Sequence, residues 1–530
     1  MDSKRLPLGR LGFSNIRKQG KIYVDKTKLI SKIAEQDTPI FFSRPRRFGK
    51  SLLINTLHSL FEKGLEDFHE LDLEKTWHDG TYKVVHFDFS RMINDTFDFN
   101  YKLSKKIIQQ FSGNNSDFKE SDLQYPDMIL DEISQKISDY SIVLLIDEYD
   151  APLTHNIDKQ NKIEDITNTL NNFYATIKQY TDKFRFIFIT GITRTSHVSI
   201  FSAFNNLLDI TLEDEFNDLL GFTKDNLIQY FDGYIEDSAH VLKMSKGDIY
   251  KRLEQYYDGF QFALEASETV FNPWSVLSFF KLPKKGFKNY WFDSGGTPSI
   301  IINYCKIDNY FDIFNGRDRE ILKTKKEITA KYEISKIPYE ILLLQAGYLT
   351  IRKETIQTAR LTFPNTEVED SMLDLYMTAN NIKIHDDVQR QIDMLSEYID
   401  NKNIIGIVEI FNAILNDCVS IHSTIFQDER SIRDIIYAAL PQEVYLQKIK
   451  ERETTKGFSD LELLTQKTHM VIEFKRTNQS RDASACLQEA VEQMRSKKYG
   501  IGAFKNHTLY RVAMVISAES KEIITLQEIC

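Results

Sequence analysis

The run SIVLLIDEYD at 141–150 constrains the fold more than any other feature of this 530-residue chain. The residues Ile142 to Ile146 leave no polar face, so a strand formed there must be covered on both sides, as in a parallel sheet layered between helices. The run ends in Asp147-Glu148, and ligands of such sheets sit beyond the carboxyl ends of the strands. TPIFFS at 38–43, YKVVHFDFS at 82–90 and FRFIFIT at 184–190 read as further strands, with helical segments between them. The first of these, KSLLINTLHSLFEKG, carries Leu53, Leu57, Leu60 and Phe61 on one side. Strands alternating with helices predict an α/β fold with helices on both faces of the sheet.

The stretch FFSRPRRFGKSLL at 41–53 joins the first strand to that helix and ends in Gly49-Lys50-Ser51. The usual phosphate-binding loop is G-x-x-x-x-G-K-[ST], and Arg44 stands where its first glycine belongs. Amides at a helix start hold phosphate oxygens, helped by the helix dipole. Lys50 is expected to reach the β- and γ-phosphates of ATP and Ser51 to ligate Mg²⁺, with Arg46, Arg47, Phe48, Gly49 and Leu52 completing the loop's lining. Pro45 restricts the loop's first turn. Asp147 then serves the Mg²⁺ shell, as a Walker B aspartate does, and Glu148 is placed to activate the attacking water. Asp150 reads as a turn or capping residue. Thr190, ending a strand, is a candidate γ-phosphate sensor. Arg194 is a candidate for stabilising developing charge, in its own subunit or a neighbour's, against the competing reading of a structural ion pair.

Beyond residue 215 the pattern becomes mainly helical. QAGYLTI at 345–351 and ARLTFPNTEV at 359–368 read as a hairpin following a helix, which suggests a winged-helix-like module. From 386 the chain restarts with helices; FSDLELLTQKTHMVIEFKR then reads as two strands, SACLQEAVEQMRSKKYG as a helix and TLYRVAMVIS as a last strand. Alternation in MVIEFK puts Val471, Glu473 and Lys475 on one face. If the two strands pair through a two-residue turn at Gln466-Lys467, Asp460 lies opposite Glu473 with Cβ atoms about 5 Å apart. Two carboxylates so placed call for a proton or a cation between them, and a divalent metal with oxygen ligands suits the position. Water activated there can attack a phosphodiester, with Lys475 orienting it and offsetting negative charge.

At this point the motifs IYVDKTKLI, FFSRPRRFGKSLL, LLIDEYDAPL, ITGITRTSHVSIFSAFNNLLDIT, YYDGFQF and NPWSVLSFF resemble a bacterial family of AAA-like ATPases that carry a C-terminal PD-(D/E)XK nuclease-like domain. The resemblance covers nearly the whole chain. That family uses S-R-P-R-R-F-G-K-S in place of the glycine-first loop, which implies a true nucleotide site with Lys50 and Ser51 on phosphate and Mg²⁺ and Asp147-Glu148 as the Walker B pair. At the other end Asp460, Glu473 and Lys475 match the D, E and K of the nuclease core, Glu429 its additional acidic residue, and Gln493 a position that is often polar; Ser459 departs from the motif's proline. The architecture implied is a P-loop NTPase sheet of the AAA/ASCE kind at 1–215, a helical lid or middle region at 216–385, and a restriction-endonuclease-like α/β domain at 386–530. The activity implied is ATP binding or hydrolysis coupled to a Mg²⁺- or Mn²⁺-dependent nuclease acting on DNA rather than RNA. The alternative is a nucleotide switch whose nuclease-like domain only binds nucleic acid or protein. AAA-like ATPases often borrow a neighbour's arginine, so a homo-oligomer fits.

Composition narrows the partners. A net charge of −10 excludes a uniformly basic nucleic-acid coat and leaves only local patches such as Arg44/Arg46/Arg47 or 448–452. Four dispersed cysteines give neither a disulfide framework nor a zinc motif. MDSKRLPLGRLGF lacks the apolar segment of a signal peptide and no apolar run reaches 18 residues, so a cytoplasmic protein with no membrane span is expected, with export as an effector left open.

Overall fold

The computed structural model describes residues 4–529 apart from 10–11, 93–98, 113–117, 158, 195–203, 205, 293, 295–320, 334–335, 354, 380–383, 420–428, 441–446, 455–456, 479–481 and 505. The chain divides into two compact units. The first is built mainly by Met1–Pro283 and Asp318–Glu369, the second mainly by Asp370–Cys530. Among the described residues no helix is long and apolar enough to cross a membrane.

The first unit is organised by five parallel strands: β1 (Ile40–Ser43), β2 (Lys83–Asp88), β3 (Ile142–Asp147), β4 (Phe184–Gly191) and β5 (Leu208–Asp209), in the order β2-β3-β4-β1-β5. Every residue of β3 and β4 is buried, as their uninterrupted apolar sequences require of strands covered on both faces. The helix Lys50–Lys63 follows β1 and buries Leu53, Leu57, Leu60 and Phe61; the Phe61 ring stacks on Phe186 of β4 with centroids 5.0 Å apart. Phe87 of β2 meets Phe173 of the helix Gln160–Gln179 edge-on at 5.6 Å. One strand, β4, separates the strand before the loop from the strand ending in Asp147-Glu148, the arrangement of a P-loop ATPase sheet.

The later part of this unit is helical, with a three-stranded antiparallel sheet ordered β6-β8-β7 from β6 (Ile321–Thr324), β7 (Thr350–Lys353) and β8 (Thr358–Thr362). The hairpin expected from sequence is present as β7 and β8, but both expected strands are too long. Gln345 and Ala346 close the helix Tyr339–Ala346 instead. At the far end β8 stops before Pro364, which has no N–H to give a ladder, and the Asn365 side chain accepts from Val368 N at 3.1 Å at the start of the helix Thr366–Ala379.

The second unit holds a mixed sheet, β13-β12-β11-β10-β9, from β9 (Gln447–Thr454), β10 (Gly457–Leu464), β11 (Thr468–Thr477), β12 (Thr508–Ser517) and β13 (Ile523–Ile529). β9, β10 and β11 form an antiparallel meander; the helix Ala483–Lys497 then crosses over to bring β12 parallel to β11. This meander, crossover helix and parallel strand fit the PD-(D/E)XK core. TLYRVAMVIS, expected as the last strand, is followed by antiparallel β13. Leu461, Leu463, Met470, Ile472 and Phe474 face a core shared with the helices Ile404–Val419 and Glu429–Ala439. Val471 and Ala513 face Ala490, Val491 and Met494 of the crossover helix.

Candidate active sites

The carboxyl ends of β1 to β4 deliver the first site. Gly49 has φ 107° and Arg47 has φ 69°, so the loop turns through two left-handed positions. Only the first is free of steric penalty; a non-glycine residue there costs about 1–2 kcal/mol. Arg44 is not part of the phosphate cradle. Its guanidinium is fully buried between the rings of Phe42 and Phe262, 4.3 and 4.4 Å from their centres. It donates to the carbonyls of Ser43, Thr211 and Phe216 at 2.9, 2.7 and 2.9 Å. Burial lowers its pKa to about 9. The residue in the first-glycine position therefore ties the loop to the later part of the unit. Trp291 Nε1 does the same by donating to the Arg46 carbonyl at 3.2 Å, and Arg47 lies 4.6 Å from the centre of the Trp274 ring.

Lys50 Nζ donates to the carbonyls of Arg44 and Pro45 at 2.8 and 3.0 Å, which sets the ammonium inside the curve of the loop. Burial lowers its pKa, opposed by Glu148, Asp147 and Asp150. Ser51 Oγ donates to Asp147 Oδ2 at 2.8 Å. Asp147 Oδ1 is buried with no hydrogen-bond partner among the described residues. Burial raises the Asp147 pKa, and so does the charge of Asp88, its neighbour in the β2–β3 register. Glu148 sits in the left-handed region at φ 51°; burial and then Asp147 raise its pKa against the pull of Lys50 and Arg46. A hydroxyl and a carboxylate oxygen that lacks a partner, side by side at the start of a helix, fit a Mg²⁺ ion carried by nucleotide phosphates, since that ion takes one or two protein oxygens and keeps waters and phosphate for the rest. The cavity here has a volume of about 830 Å³; Arg46 to Leu52, Asp147 and Glu148 line it together with Tyr23, Phe222 and Trp274.

Of the two other expected residues, Thr190 lies opposite Phe42 and one step beyond the Ile146–Ile189 pair, beside the end of β3, whereas Arg194 stands apart. Thr190 Oγ1 is buried and has no hydrogen-bond partner among the described residues, while its carbonyl accepts from Tyr149 N at 3.1 Å. Arg194 is not brought to the loop. Its guanidinium is paired with Asp209 at 2.7 Å, with the two side chains 8% and 14% exposed, and its backbone N donates to Gln345 Oε1 at 3.0 Å. The competing ion-pair reading describes this placement. Asp150 accepts from the N–H groups of Ile192 and Thr193 and from Thr193 Oγ1, latching the loop after β3 to the end of β4. Of the long motif that follows, positions 195–203 and 205 lie outside the described residues.

The second site rests on a register. Leu461 pairs with Ile472, Leu463 with Met470 and Leu464 with His469, around a turn at Gln466-Lys467. The same ladder carried one step further sets Asp460 opposite Glu473, the pairing assumed from sequence. Asp460 Oδ2 accepts from Phe474 N at 2.8 Å. Glu473 is 1% exposed, and its Oε2 has no hydrogen-bond partner among the described residues. Burial, and after it the Asp460 charge, push the Glu473 carboxyl up to about 9. Burial raises Asp460 as well. Burial works against the Lys475 ammonium, but Glu429, Glu473 and Glu489 outweigh it and raise its pKa. Lys475 Nζ lies 3.5 Å from Glu429 and 3.7 Å from Glu489, and Glu429 Oε1 accepts from Arg476 N at 3.1 Å. Gln493 does not reach the carboxylates; its Nε2 donates to Tyr499 Oη at 3.3 Å. Among the described residues no group of three or more His, Cys, Asp or Glu forms a metal cluster. The paired Asp460 and Glu473 fit an ion that completes its shell with water and a substrate phosphate.

Comparison with known proteins bears on both sites. A family model described as "Predicted AAA-ATPase" matches residues 7–201, and one described as "PD-(D/E)XK nuclease superfamily" matches residues 427–526. An uncharacterized protein of the vnfD 5′ region of Azotobacter chroococcum mcd 1 is 30% identical over 381 residues, which span 70% of each chain. The chain belongs to this AAA-ATPase-like family. It carries a PD-(D/E)XK superfamily domain at its C-terminal end. A Walker-type ATPase of Pyrococcus abyssi is similar at 11% identity with a TM-score of 0.32, covering 65% of this chain and 93% of its own; a likeness that slight supports nothing further.

Within this AAA-ATPase-like chain, several residues near the sites were missed from sequence. Asp88 was visible as the acidic end of an alternating strand, but its position beside Asp147 follows only from the β2–β3 register. Tyr23 belongs to IYVDKT, a motif that had no role until the fold placed it at the nucleotide cavity. Trp274 comes from NPWSVLSFF, far along the chain. Tyr499 and Glu489 approach the second site from the crossover helix and its end, and nothing in their local sequence signals it.

Proposed function

We propose that this protein couples its ATP-bound state to cleavage of DNA by the C-terminal domain. The observation that carries the reading is the Asp460–Glu473 pair: two carboxyl groups facing one another in the sheet, one of them buried with an oxygen that lacks a partner among the described residues. Such a pair is stable only with a proton or a cation between its members, and raised pKa values report the demand. A divalent ion bound there supplies Lewis acidity toward a phosphoryl oxygen and lowers the pKa of water. The chain's own groups do the rest. Asp460 is oriented by the Phe474 amide. Lys475, held between Glu429 and Glu489, keeps a positive charge beside the scissile phosphate. In the first unit Lys50 and the loop amides bind the phosphates of ATP, Ser51 and Asp147 hold its Mg²⁺, and Glu148 takes a proton from the attacking water.

The test is plasmid DNA incubated with the protein and Mg²⁺ or Mn²⁺, beside Glu473→Ala. Cleavage by the wild type that disappears in the variant is expected. Equal cleavage by both refutes the assignment of the site, and no cleavage under any condition with ATP turnover intact refutes the nuclease.

A further inference from the structure

A second cavity, of about 740 Å³, lies beside the nucleotide cavity, and His86, Asp88 and Arg91 line both. Its other wall is the helix Phe99–Ser112. This helix buries Leu103, Ser104, Ile107 and Phe111, while Lys102, Lys105 and Lys106 line the cavity. Their i, i+3, i+4 spacing sets the three lysines on one helix face, with about 5–6 Å between Cβ atoms of neighbours; Lys102 Nζ donates to the Met92 carbonyl at 3.4 Å. The rings of Tyr101 and Phe118 line the same space, and Lys105 Nζ lies 4.4 Å from the centre of the Tyr101 ring. Arg91 adds a fourth cation. Two carboxylates stand against them: Asp88, 2.7 Å from Arg91, and Glu120, which accepts from Tyr101 Oη at 2.9 Å. Burial, and then the Arg91 charge, lower the Lys106 pKa. In a chain of net charge −10, this is a concave and locally cationic site.

We propose that this cavity binds the phosphodiester backbone of a single-stranded nucleic acid, with Lys102, Lys105 and Lys106 on its phosphates and Tyr101 against a base. Cations that follow a backbone, interleaved with aromatic faces, are the general means of holding an unpaired strand. A concave pocket suits such a strand better than a duplex, whose phosphates lie on a convex surface. The proposal places a nucleic acid on the ATPase unit itself and stands whether or not the C-terminal domain cuts. It also supplies a route to the nucleotide. A phosphate that draws Arg91 from Asp88 changes the charge that Asp88 presents to Asp147, so strand binding alters ATP turnover.

The experiment uses the full chain carrying Glu473→Ala, a fluorescein-labelled oligo(dT) probe, and anisotropy over a range of salt. Replacing Lys102, Lys105 and Lys106 by Gln is expected to weaken binding at least about 10-fold and to flatten the slope of log K against log[salt] by about two, at about 0.7 for each phosphate that is no longer neutralised. Lys105→Glu with Lys106→Glu, at exposed and half-buried positions, is a second variant expected to weaken binding further. The oligonucleotide is also expected to change wild-type ATP turnover at least about two-fold and to leave that of the triple Gln variant unaltered. Unchanged affinity and slope in both variants overturn the proposal. So does an equal turnover response in wild type and triple variant, equal affinity for the annealed duplex, or displacement of the probe by an equal concentration of inorganic phosphate.

Discussion

The two sites solve one electrostatic problem in different ways. Each presents a buried carboxylate with an oxygen that lacks a hydrogen-bond partner among the described residues, Asp147 Oδ1 in the first unit and Glu473 Oε2 in the second. In the ATPase site the groups come from the strand ends of β1 to β4, from Ser43 to Gly191 in the sequence. A hydroxyl meets the acid there, and the nearby Lys50 is turned onto the loop's own carbonyls. In the nuclease-like site the acids come from one hairpin, and the nearby lysine is already occupied by two other glutamates. On the proposed function the first arrangement takes a ligand that brings both phosphate and metal, and the second a metal alone; burial and then the Asp460 charge push its Glu473 carboxyl up to about 9.

The comparison breaks most sharply by removing one acid from each site. Glu473→Ala is expected to reduce DNA cleavage at least about 100-fold while ATP turnover persists. Glu148→Gln is expected to reduce ATP turnover by about 10²–10⁴-fold with ATP binding kept, as measured by phosphate release and by nucleotide titration. If either variant silenced the other unit's site, the two could not be treated as separate chemistries.

Arg44→Gly restores the usual first glycine of a phosphate loop, yet it is expected to destabilise the first unit by about 3 kcal/mol in urea unfolding. It removes a guanidinium packed between two rings and strands the carbonyls of Thr211 and Phe216. A neutral or stabilising result would show that these contacts contribute nothing to the stability of the first unit. Gly191→Ala is expected to cost about 1–3 kcal/mol, because a Cβ there falls 2.5 Å from the Tyr149 ring and 2.6 Å from Asp150 Oδ1.

A smaller effect concerns pH. The Glu473 carboxyl, at about 9 in the folded chain against an ordinary 4.5, holds a proton that the unfolded chain releases in between. Without divalent ions the second unit therefore loses stability as pH rises from about 4.5 to about 9, and Glu473→Gln flattens that decline. Mn²⁺ competes with the same proton, so its apparent affinity is expected to rise with pH over the same interval in calorimetric titration. A pH-independent affinity would remove the second site's distinguishing feature.

Much of both sites was legible because their residues lie in elements with strong patterns. The unbroken apolar run into Asp147-Glu148 reads as a covered strand, and the alternation of MVIEFK sets Asp460 against Glu473 once a two-residue turn is assumed, a register that the β10–β11 ladder carries. The less legible parts have physical reasons. β9 reads QKIKERET, charged as an edge strand must be to resist pairing with another chain, and β13 lies at the opposite edge with mostly accessible residues. Short β6 pairs with β8, which follows it only after a helical stretch. Arg44 looked like a defect in a motif until Phe262, distant in sequence, was seen to cover it. Arg194 kept two readings in the sequence, a catalytic one and a structural ion pair, because nothing local announces that Asp209, at the end of β5, pairs with it.

The coupling of the two units is tested most directly by DNA cleavage measured in the wild type and in Lys50→Ala, each with and without ATP, in Mg²⁺. ATP is expected to change the cleavage rate of the wild type and to leave that of the variant unaltered. Cleavage that proceeds at one rate in all four reactions would contradict the coupling and leave two independent activities on one chain.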